Sequence, residues 1–308
     1  MKRFFKSIIK RLKSIIKRLI TRSPPSWMHG MTSIDEQLYF RHYAERIFRG
    51  KGEIVDLGCW LGSTTISLAG GLLKNRAALK KGRLIHAYDV FIWESWMDAH
   101  KTGCRKPYEP GESFLDEYRA RVQPYEKLVK IYPGDLTKTS WTGNPIEFLL
   151  IDAMKSWELA QAIVRNFYPS LILGTSYLLH QDFKHYYTPW IHQVQYRLRD
   201  HFEPIHNVHN SGSMAFRCTN KIENDFTWLN GLKSWTEEEI NAAFAYSLSV
   251  IGNESDVDKD EVLAAKIMYY VHSDRISEAK ALLADVLGPK TNPLPNCFTF
   301  CQQALTSK

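Results

Sequence analysis

The sequence predicts an α/β protein built on a doubly wound, mostly parallel sheet of seven strands. Three observations lead to this class. From residue 52 onward, short apolar segments alternate with helical segments, as expected when helices cover both faces of a parallel sheet. Two later apolar segments, at 205–209 and 213–218, are joined by a short turn, which predicts an antiparallel hairpin closing the sheet. After residue 221 the pattern is helical only, which predicts an all-helical appendage.

The five parallel strands are expected where short apolar runs end near a glycine, a carboxylate or another turn residue. They are predicted at 52–57, 83–88, 128–132, 146–151 and 176–180. Helices are predicted where apolar residues recur three and four positions apart, at 33–49, 62–79, 113–124, 156–167 and 188–200. This winding brings the carboxyl ends of the strands to one edge, where such sheets bind ligands.

Three helices are predicted in the C-terminal part, at 237–251, 259–272 and 275–287. Thr236 and Glu239 have the spacing of a capping box at the first of them. This part carries no recognisable chemistry, and we expect it to pack on the sheet or to mediate a homodimer. The chain is thus divided into a basic helix and linker at 1–25, a ligand-binding domain at 26–222 and a helical extension at 223–308.

Composition locates the positive charge in one short segment. The 308 residues carry a net charge of +7, yet residues 1–22 hold nine basic residues and no acidic one. The remainder has 31 basic residues against 33 acidic ones, which argues against a nucleic-acid-binding surface. Five cysteines, an odd number, suit a reducing and therefore cytoplasmic compartment. Cys297 and Cys301 have no second Cys or His pair nearby and are interpreted as packing residues.

The N-terminal segment contains the heptapeptide KSIIKRL twice in succession, at 6–12 and 13–19. Wound as a helix, its apolar residues fill an arc of about 160° and its basic residues fill the rest. No apolar run is long enough to span a bilayer. We expect this helix to lie on the surface of an anionic membrane, on its cytoplasmic side. The alternatives are a coiled-coil segment, a frayed terminus and a mitochondrial presequence.

A glycine-containing turn follows the first predicted strand. The stretch IVDLGCWLGSTT places Asp56 at the strand end, then Gly58, Trp60 and Gly62 in the turn. Glycine lets the backbone turn tightly and approach a ligand closely. The run of hydroxyl residues Ser63, Thr64 and Thr65 then opens a helix whose N-terminal amides point toward the same crevice.

Carboxylates also follow the other parallel strands, directly or with at most two residues between. They are Asp89, Asp135, Asp152 and Asp182. Each alone is more often a turn residue or a helix cap, but their recurrence at five successive strands indicates a shared ligand site. Asp89, after the second strand, is placed to accept both hydroxyls of a ribose.

These motifs resemble those of class I S-adenosylmethionine (SAM)-dependent methyltransferases, which have a Rossmann-like sheet. The resemblance covers about 40–220 and is closest to small-molecule O-methyltransferases of the macrocin and catechol types. It implies that Asp56, Gly58, Trp60, Gly62, Ser63 and Thr64 line the cofactor, and that Asp152 borders it. It further implies that Asp89 holds the ribose and that Asp135 or Leu136 lies near the adenine. Trp60 stands where the common motif has a glycine.

Methyl transfer to oxygen requires a base that removes the proton of the acceptor hydroxyl. Asp152 and Lys155 match the Asp-x-x-Lys of catechol-type enzymes, in which the lysine is the base. Lysine suits this role only if its pKa is lowered toward neutrality. His180, near Asp182 and expected to face the same crevice, is the alternative base because its ordinary pKa is near neutrality.

Three further hypotheses come from the same region. The resemblance suggests Mg²⁺ held by Asp152, Gln181 and Asp182, although one carboxylate is displaced from the catechol-type pattern. The aromatic-rich insertion at 91–125 is either a lid or acceptor platform, or a packed satellite cluster. The acceptor is expected to be a small molecule or glycan. The alternatives to an enzyme of this kind are a non-catalytic scaffold with the same fold and a nicotinamide-dependent dehydrogenase.

Overall fold

The computed structural model describes residues 30–100, 103–229, 231–252, 255–288 and 294–307. The predicted amphipathic helix within 1–25 lies outside these residues. Seven strands form one sheet: β1 (Glu53–Leu57), β2 (Ile85–Asp89), β3 (Val129–Pro133), β4 (Ile146–Ile151), β5 (Tyr177–His180), β6 (Phe202–Asn207) and β7 (Met214–Cys218). Within the described part of the chain, no helix has the length and apolar character needed to cross a membrane.

The strand order is β3-β2-β1-β4-β5-β7-β6. Strands β1 to β5 pair in parallel, whereas β7 runs antiparallel to both β5 and β6. This confirms the doubly wound, mostly parallel sheet with a closing hairpin. The order reverses between β1 and β4, and a doubly wound sheet opens its ligand crevice at such a switch point.

Ten α-helices accompany the sheet in the described residues. They are α1 (Ile34–His42), α2 (Ser63–Leu72), α3 (Arg76–Lys80), α4 (Leu115–Val122), α5 (Trp157–Phe167), α6 (Trp190–Arg197), α7 (Glu237–Ile251), α8 (Asp256–His272), α9 (Ile276–Leu287) and α10 (Asn296–Thr306). The capping box predicted at α7 is confirmed, because Thr236 accepts from the Glu239 amide while the Glu239 side chain accepts from the Thr236 amide.

Two of the predicted helices are not continuous α-helices over their predicted ranges. The helix expected at 62–79 is interrupted between α2 and α3, where Asn75 caps the second helix by accepting from the Ala78 amide at 3.1 Å. The helix expected at 33–49 changes at Tyr43 into a π-helical turn that ends at Ile47. Capping side chains and local changes of helical pitch depend on neighbours that apolar periodicity does not reveal.

Helix α10 is absent from the predicted elements. Cys297 and Cys301 lie one helical turn apart on it and are 1% and 0% exposed. All five cysteines are free thiols, so the packing interpretation of this pair agrees with the structure. The missed helix lacks the charged residues that occur in the other helices of the extension, and it has no capping side chain at its N-terminus.

The helical extension shares one apolar core with the sheet. Trp235, Ile240 and Phe244 belong to the same buried cluster as Val194 of α6 and Phe216 of β7. A second cluster covers the opposite face of the sheet beneath α1 and α2. The extension therefore packs on the sheet, which is one of its two expected roles.

Candidate functional site

The turn after β1 lies where the strand order reverses. Gly58 has φ +85°, and a Cβ atom built on it would lie 2.7 Å from the carbonyl oxygen of Asp152 at the tip of β4. Only glycine tolerates both the positive φ and this close approach. Gly62 also has a positive φ, +88°, at the start of α2. Both glycines of the motif thus have a positive φ, and at Gly58 the backbone of Asp152 also leaves no space for a Cβ atom.

Asp56 is buried completely beneath this turn. Its Oδ2 atom accepts hydrogen bonds from the Thr64 hydroxyl at 2.8 Å and the Thr65 hydroxyl at 2.6 Å. Burial raises the pKa of Asp56 to about 6, against the lowering effect of these two bonds. Its Oδ1 atom is buried with no partner among the described residues. Asp56 therefore anchors the first turn of α2 and keeps one unused acceptor.

Trp60 connects the glycine turn to β2. Its backbone N–H donates to Asp89 Oδ2 at 2.8 Å, and its φ is +40°. The indole is 8% exposed and its ring lies 6.5 Å from that of Trp93 and 6.2 Å from that of His100. Trp60 thus shields this side of the crevice, while its main chain holds the carboxylate after β2.

Asp89 is half-buried at the end of β2. In addition to the Trp60 amide, it accepts from the Phe91 N–H through Oδ1 at 2.8 Å. Burial raises the pKa of Asp89, although these backbone bonds oppose the rise. Each carboxylate oxygen has a further lone pair. The geometry fixes the carboxylate and leaves it able to accept two more hydroxyl groups.

Ser63 and Thr64, the other polar residues expected to line the cofactor in the glycine turn, both bond to protein groups. The Ser63 and Thr32 hydroxyls are 2.6 Å apart, so the segment before α1 lies over the start of α2. Thr64 donates to Asp56, as described above. The sequence does not indicate that Thr32 contacts Ser63, because a lone hydroxyl residue ahead of a helix usually serves as the cap of that helix.

Asp135 is exposed and caps its own short turn. It accepts from the Thr137 amide at 2.9 Å and the Thr137 hydroxyl at 2.8 Å, and these bonds lower its pKa. The turn lies beside β2, because the Gly134 N–H donates to the carbonyl oxygen of Asp89 at 2.9 Å. Leu136 is buried. The structure thus brings this turn to Asp89, with the Asp135 carboxylate already bonded within the turn.

A second polar group lies after β4 and β5. It consists of Asp152, Lys155, Asp182 and Tyr187, here called the lysine cluster. The Lys155 ammonium donates to Asp152 Oδ1 at 2.6 Å and to the Tyr187 hydroxyl at 3.0 Å, and it also contacts Asp182 Oδ2. The Lys155 side chain is 38% exposed and that of Asp182 is 12% exposed.

The charge of Lys155 follows from these contacts. Burial acts to lower its pKa, but Asp152 and Asp182 together raise that pKa well above the ordinary value. The lysine is therefore a fixed cation at neutral pH. A lysine that acts as a base at neutral pH needs a lowered pKa. The pKa of Lys155 is raised, so Lys155 does not meet this requirement.

The residues suggested as Mg²⁺ ligands do not fit that ion. The Lys155 ammonium lies between the carboxylates of Asp152 and Asp182, so both suggested carboxylate ligands already pair with a positive charge. The third suggested ligand, Gln181, has an uncommitted oxygen, the buried Oε1, in the described structure. Mg²⁺ requires near-octahedral oxygen coordination, and this position already holds a cation. The part of the chain that the structure describes contains no group of three His, Cys, Asp or Glu side chains arranged to hold a metal.

His180 does not face the crevice, which corrects the sequence expectation. It is fully buried, with Nε2 3.4 Å from the Tyr168 hydroxyl and its ring beside Phe183 and Phe216. Side chains alternate along a strand, so His180 faces the same helical layer as Leu178. Burial lowers its pKa to about 4. His180 is a core residue.

The aromatic insertion at 91–125 is largely packed. Phe91, Trp93 and Phe114 are at most 1% exposed, whereas Trp96 is 50% exposed. Within this insertion, the Tyr118 hydroxyl reaches Thr65 at 2.9 Å, a contact across 53 residues that no sequence pattern indicated. Most aromatic residues of the insertion therefore form a packed satellite cluster, which is the second of the two interpretations given for this segment.

Replacing His180 by Gln should remove a pH-dependent part of the stability. Because its pKa is about 4 when folded and 6.5 when unfolded, its contribution is complete above pH 6.5 and is lost as the pH falls through 4. Urea unfolding should show that the wild type loses about 3 kcal/mol more than the variant between neutral and acidic pH.

The exposed His209 supplies the matched control for this measurement. Changing His209 to Gln should leave the pH dependence of stability as it is in the wild type. If the free energy of unfolding falls equally with pH in the wild type and in His180→Gln, the imidazole is not held neutral in the core.

The chain matches no protein-family model and none of the curated proteins. Among solved structures it is similar to the O-methyltransferase NovP, with 18% identity over 62% of this chain and 83% of that chain and a TM-score of 0.49. It is also similar to an O-methyltransferase from Bacillus cereus in complex with SAH (12% identity, 68% and 97% coverage, TM-score 0.43). The calicheamicin methyltransferase CalS11 gives 14% identity, 68% and 91% coverage and a TM-score of 0.43.

The sheet itself has the features that the motif resemblance implied. Its seven strands are doubly wound, an antiparallel hairpin closes one edge, and the glycine turn follows β1 at the switch in strand order. The chain therefore has the doubly wound, Rossmann-like sheet that the motif resemblance implied.

Proposed function

We propose that this protein is a SAM-dependent methyltransferase that moves a methyl group to a hydroxyl of a small molecule or glycan. One observation carries the proposal: the half-buried Asp89 carboxylate is held by two backbone N–H groups, at the sheet edge that also bears the lysine cluster. A site for a ribose and a site for a polar acceptor thus lie at the carboxyl ends of neighbouring strands.

The residues around β1 and β2 fit the proposed cofactor. Gly58 leaves space that a Cβ would fill, Asp89 has acceptor capacity for two hydroxyls, and Asp56 retains one unpartnered oxygen. When bound, SAM supplies a methyl group on a positively charged sulfur. The backbone of the glycine turn, with Trp60 beside it, would hold the cofactor close to the tip of β4, where Asp152 begins the lysine cluster.

We assign the acceptor to the lysine cluster. The charged Lys155 would bind and polarise the acceptor hydroxyl, in place of the base expected from the motif. Asp182, which faces Lys155 and is mostly buried, would accept the hydroxyl proton as the new oxygen–carbon bond forms and the carbon–sulfur bond breaks. The sulfur leaves as a neutral sulfide, so the charges balance. Positioning and proton removal are the two requirements of this transfer.

Calorimetric titration with SAM tests the cofactor assignment. The wild type should bind SAM, and Asp89→Ala should weaken binding by roughly tenfold to a hundredfold, since hydrogen bonds to a charged group contribute about 1.5–3 kcal/mol. Asp285→Ala, which removes an exposed carboxylate on α9, is the control and should bind like the wild type.

A wild type that does not bind SAM would end the enzyme proposal in this form. Quenching of NADH fluorescence by the same preparation would then support the dehydrogenase alternative. Equal affinities in the wild type and Asp89→Ala would show that the ribose is held elsewhere.

Transfer of labelled methyl groups from SAM into a host metabolite extract tests the acceptor side. Asp182→Asn and Lys155→Met should each lower transfer at least about a hundredfold, with the affinity for SAM nearly unchanged. Lys138→Met, at an exposed lysine near Asp135, is the control for loss of a lysine charge. The label should enter products that behave as methyl ethers or esters.

Binding of SAM without any transfer of label would favour the non-catalytic scaffold. Full activity in both variants would mean that positioning alone, without Lys155 or Asp182, carries the reaction. Mass spectrometry of the labelled products would identify the acceptor class.

We also propose that residues 1–22 hold the protein on the cytoplasmic surface of an anionic membrane. The support is the repeated cationic amphipathic sequence, in which each basic residue near the surface contributes about 1 kcal/mol. A role of the helical extension in a homodimer stays a prediction.

Sedimentation with phospholipid vesicles tests the membrane proposal on the full chain. Binding should require phosphatidylglycerol in a phosphatidylcholine background and should weaken at least tenfold when Lys10 and Lys13 are changed to Glu. The same change at the exposed Lys74 and Lys80 of the folded body is the control. Binding that is equal in both double variants, or equal on neutral vesicles, would contradict the proposal.

A further inference from the structure

The segment between β5 and α6 lies between the lysine cluster and the helical extension. Its residues 182–188, here called the acceptor loop, supply Asp182 and Tyr187 to the cluster. The Tyr187 hydroxyl is 3.0 Å from the Lys155 ammonium, and its ring lies beneath that ammonium at 5.3 Å. Any group that moves this loop also moves half of the lysine cluster.

Lys184 of the acceptor loop bonds to the extension. Its ammonium is 2.9 Å from Asp258 Oδ2 on α8, and the Lys184 side chain is only 2% exposed. A buried ammonium is costly unless a carboxylate pairs with it. The Lys184 backbone N–H also donates to the Gly212 carbonyl oxygen in the β6–β7 turn at 2.9 Å.

Tyr186 makes the second connection. Its backbone N–H donates to Glu261 Oε2 at 3.2 Å, and its ring packs on Phe300 of α10 with centroids 4.8 Å apart. Glu261 lies three residues after Asp258 on α8, so both carboxylates are on one helix face. Burial raises the pKa of Glu261 to about 7, as expected for a carboxyl group withdrawn from water to serve a backbone donor.

The bonds within the loop determine its shape but not its place. The His185 amide and the Thr188 hydroxyl both donate to the Asp182 carbonyl oxygen, each at 3.1 Å. These local bonds hold a compact turn wherever the turn lies. The contacts of Lys184 and Tyr186 are the ones that place the turn relative to the helical extension.

We infer that the C-terminal extension positions the acceptor loop, with Asp258 and Glu261 acting as positioning residues through Lys184 and the Tyr186 backbone. This inference rests on the proposed function, because the loop matters to catalysis only if the lysine cluster binds the acceptor. It assigns a role to α8 and α10, which carry no reacting group themselves. The extension acts on the acceptor side of the site and not on the cofactor side.

Hydrogen exchange followed by mass spectrometry tests the positioning on the full chain. Asp258→Asn and Glu261→Met should each speed exchange of the amides in 182–188 at least tenfold, while peptides from β1 and α2 exchange as before. SAM affinity should stay within twofold of the wild type. With the host metabolite extract as the acceptor source, the apparent acceptor KM (the amount of extract that gives half-maximal methyl transfer) should rise or the maximal rate should fall, because the residues that bind the acceptor are less ordered.

Two comparisons separate positioning from a general loss of structure. Glu278→Gln and Asp285→Asn, at exposed carboxylates of α9, should leave loop exchange and acceptor kinetics unchanged. In the double variant Lys184→Met/Asp258→Leu, an apolar pair replaces the buried ion pair, a change that is often neutral for stability. The loop should then regain slow exchange, and this variant decides the question if Asp258→Asn fails to fold.

The outcomes distinguish the inference from the proposed function. Loop exchange and acceptor KM that remain within twofold of the wild type in folded Asp258→Asn and Glu261→Met would overturn the inference alone. A wild type that neither binds SAM nor transfers methyl groups would overturn the proposed function, and with it the catalytic meaning of an ordered loop.

Discussion

The close contact between the tips of β1 and β4 determines the geometry of the whole site. The Gly58 N–H donates to the Tyr88 carbonyl oxygen at 2.9 Å, and the Asp152 N–H donates to the Leu57 carbonyl oxygen at 2.8 Å. These two bonds join three neighbouring strand ends. Because the glycine turn rests against Asp152, backbone contacts set the separation between this turn and the start of the lysine cluster. Under the proposed function, in-line transfer between two bound groups would depend on such a fixed separation.

Electrostatics divides this edge into two regions of different character. At Asp89, backbone dipoles hold a carboxylate in place without neutralising it, so it keeps its capacity for hydroxyl donors. At Lys155, two carboxylates surround the ammonium group and keep the lysine charged. Under the proposed function, a charge fixed before the reaction would need no reorganisation when charge develops on the acceptor.

The doubly wound sheet could be predicted from the sequence, because the alternation of apolar and helical segments is visible along the chain without knowledge of any contact. The sequence also located Asp89 and Lys155, since both follow strands. It could not show the direction of His180, because one residue of register decides whether a strand side chain faces the crevice or a helical layer. It could not show the charge state of Lys155 either, since that depends on Asp182, which is 27 residues away in the chain.

The shared apolar core has a consequence for how the molecule unfolds. Trp235 and Phe244 of the extension are buried together with Phe216 of the sheet, so separating the two parts would expose large aromatic surfaces on both. A core shared in this way is expected to unfold cooperatively. Detachment of the extension from the sheet is therefore coupled to unfolding of both, whereas the loop that bears Asp182 can loosen locally while this core stays intact.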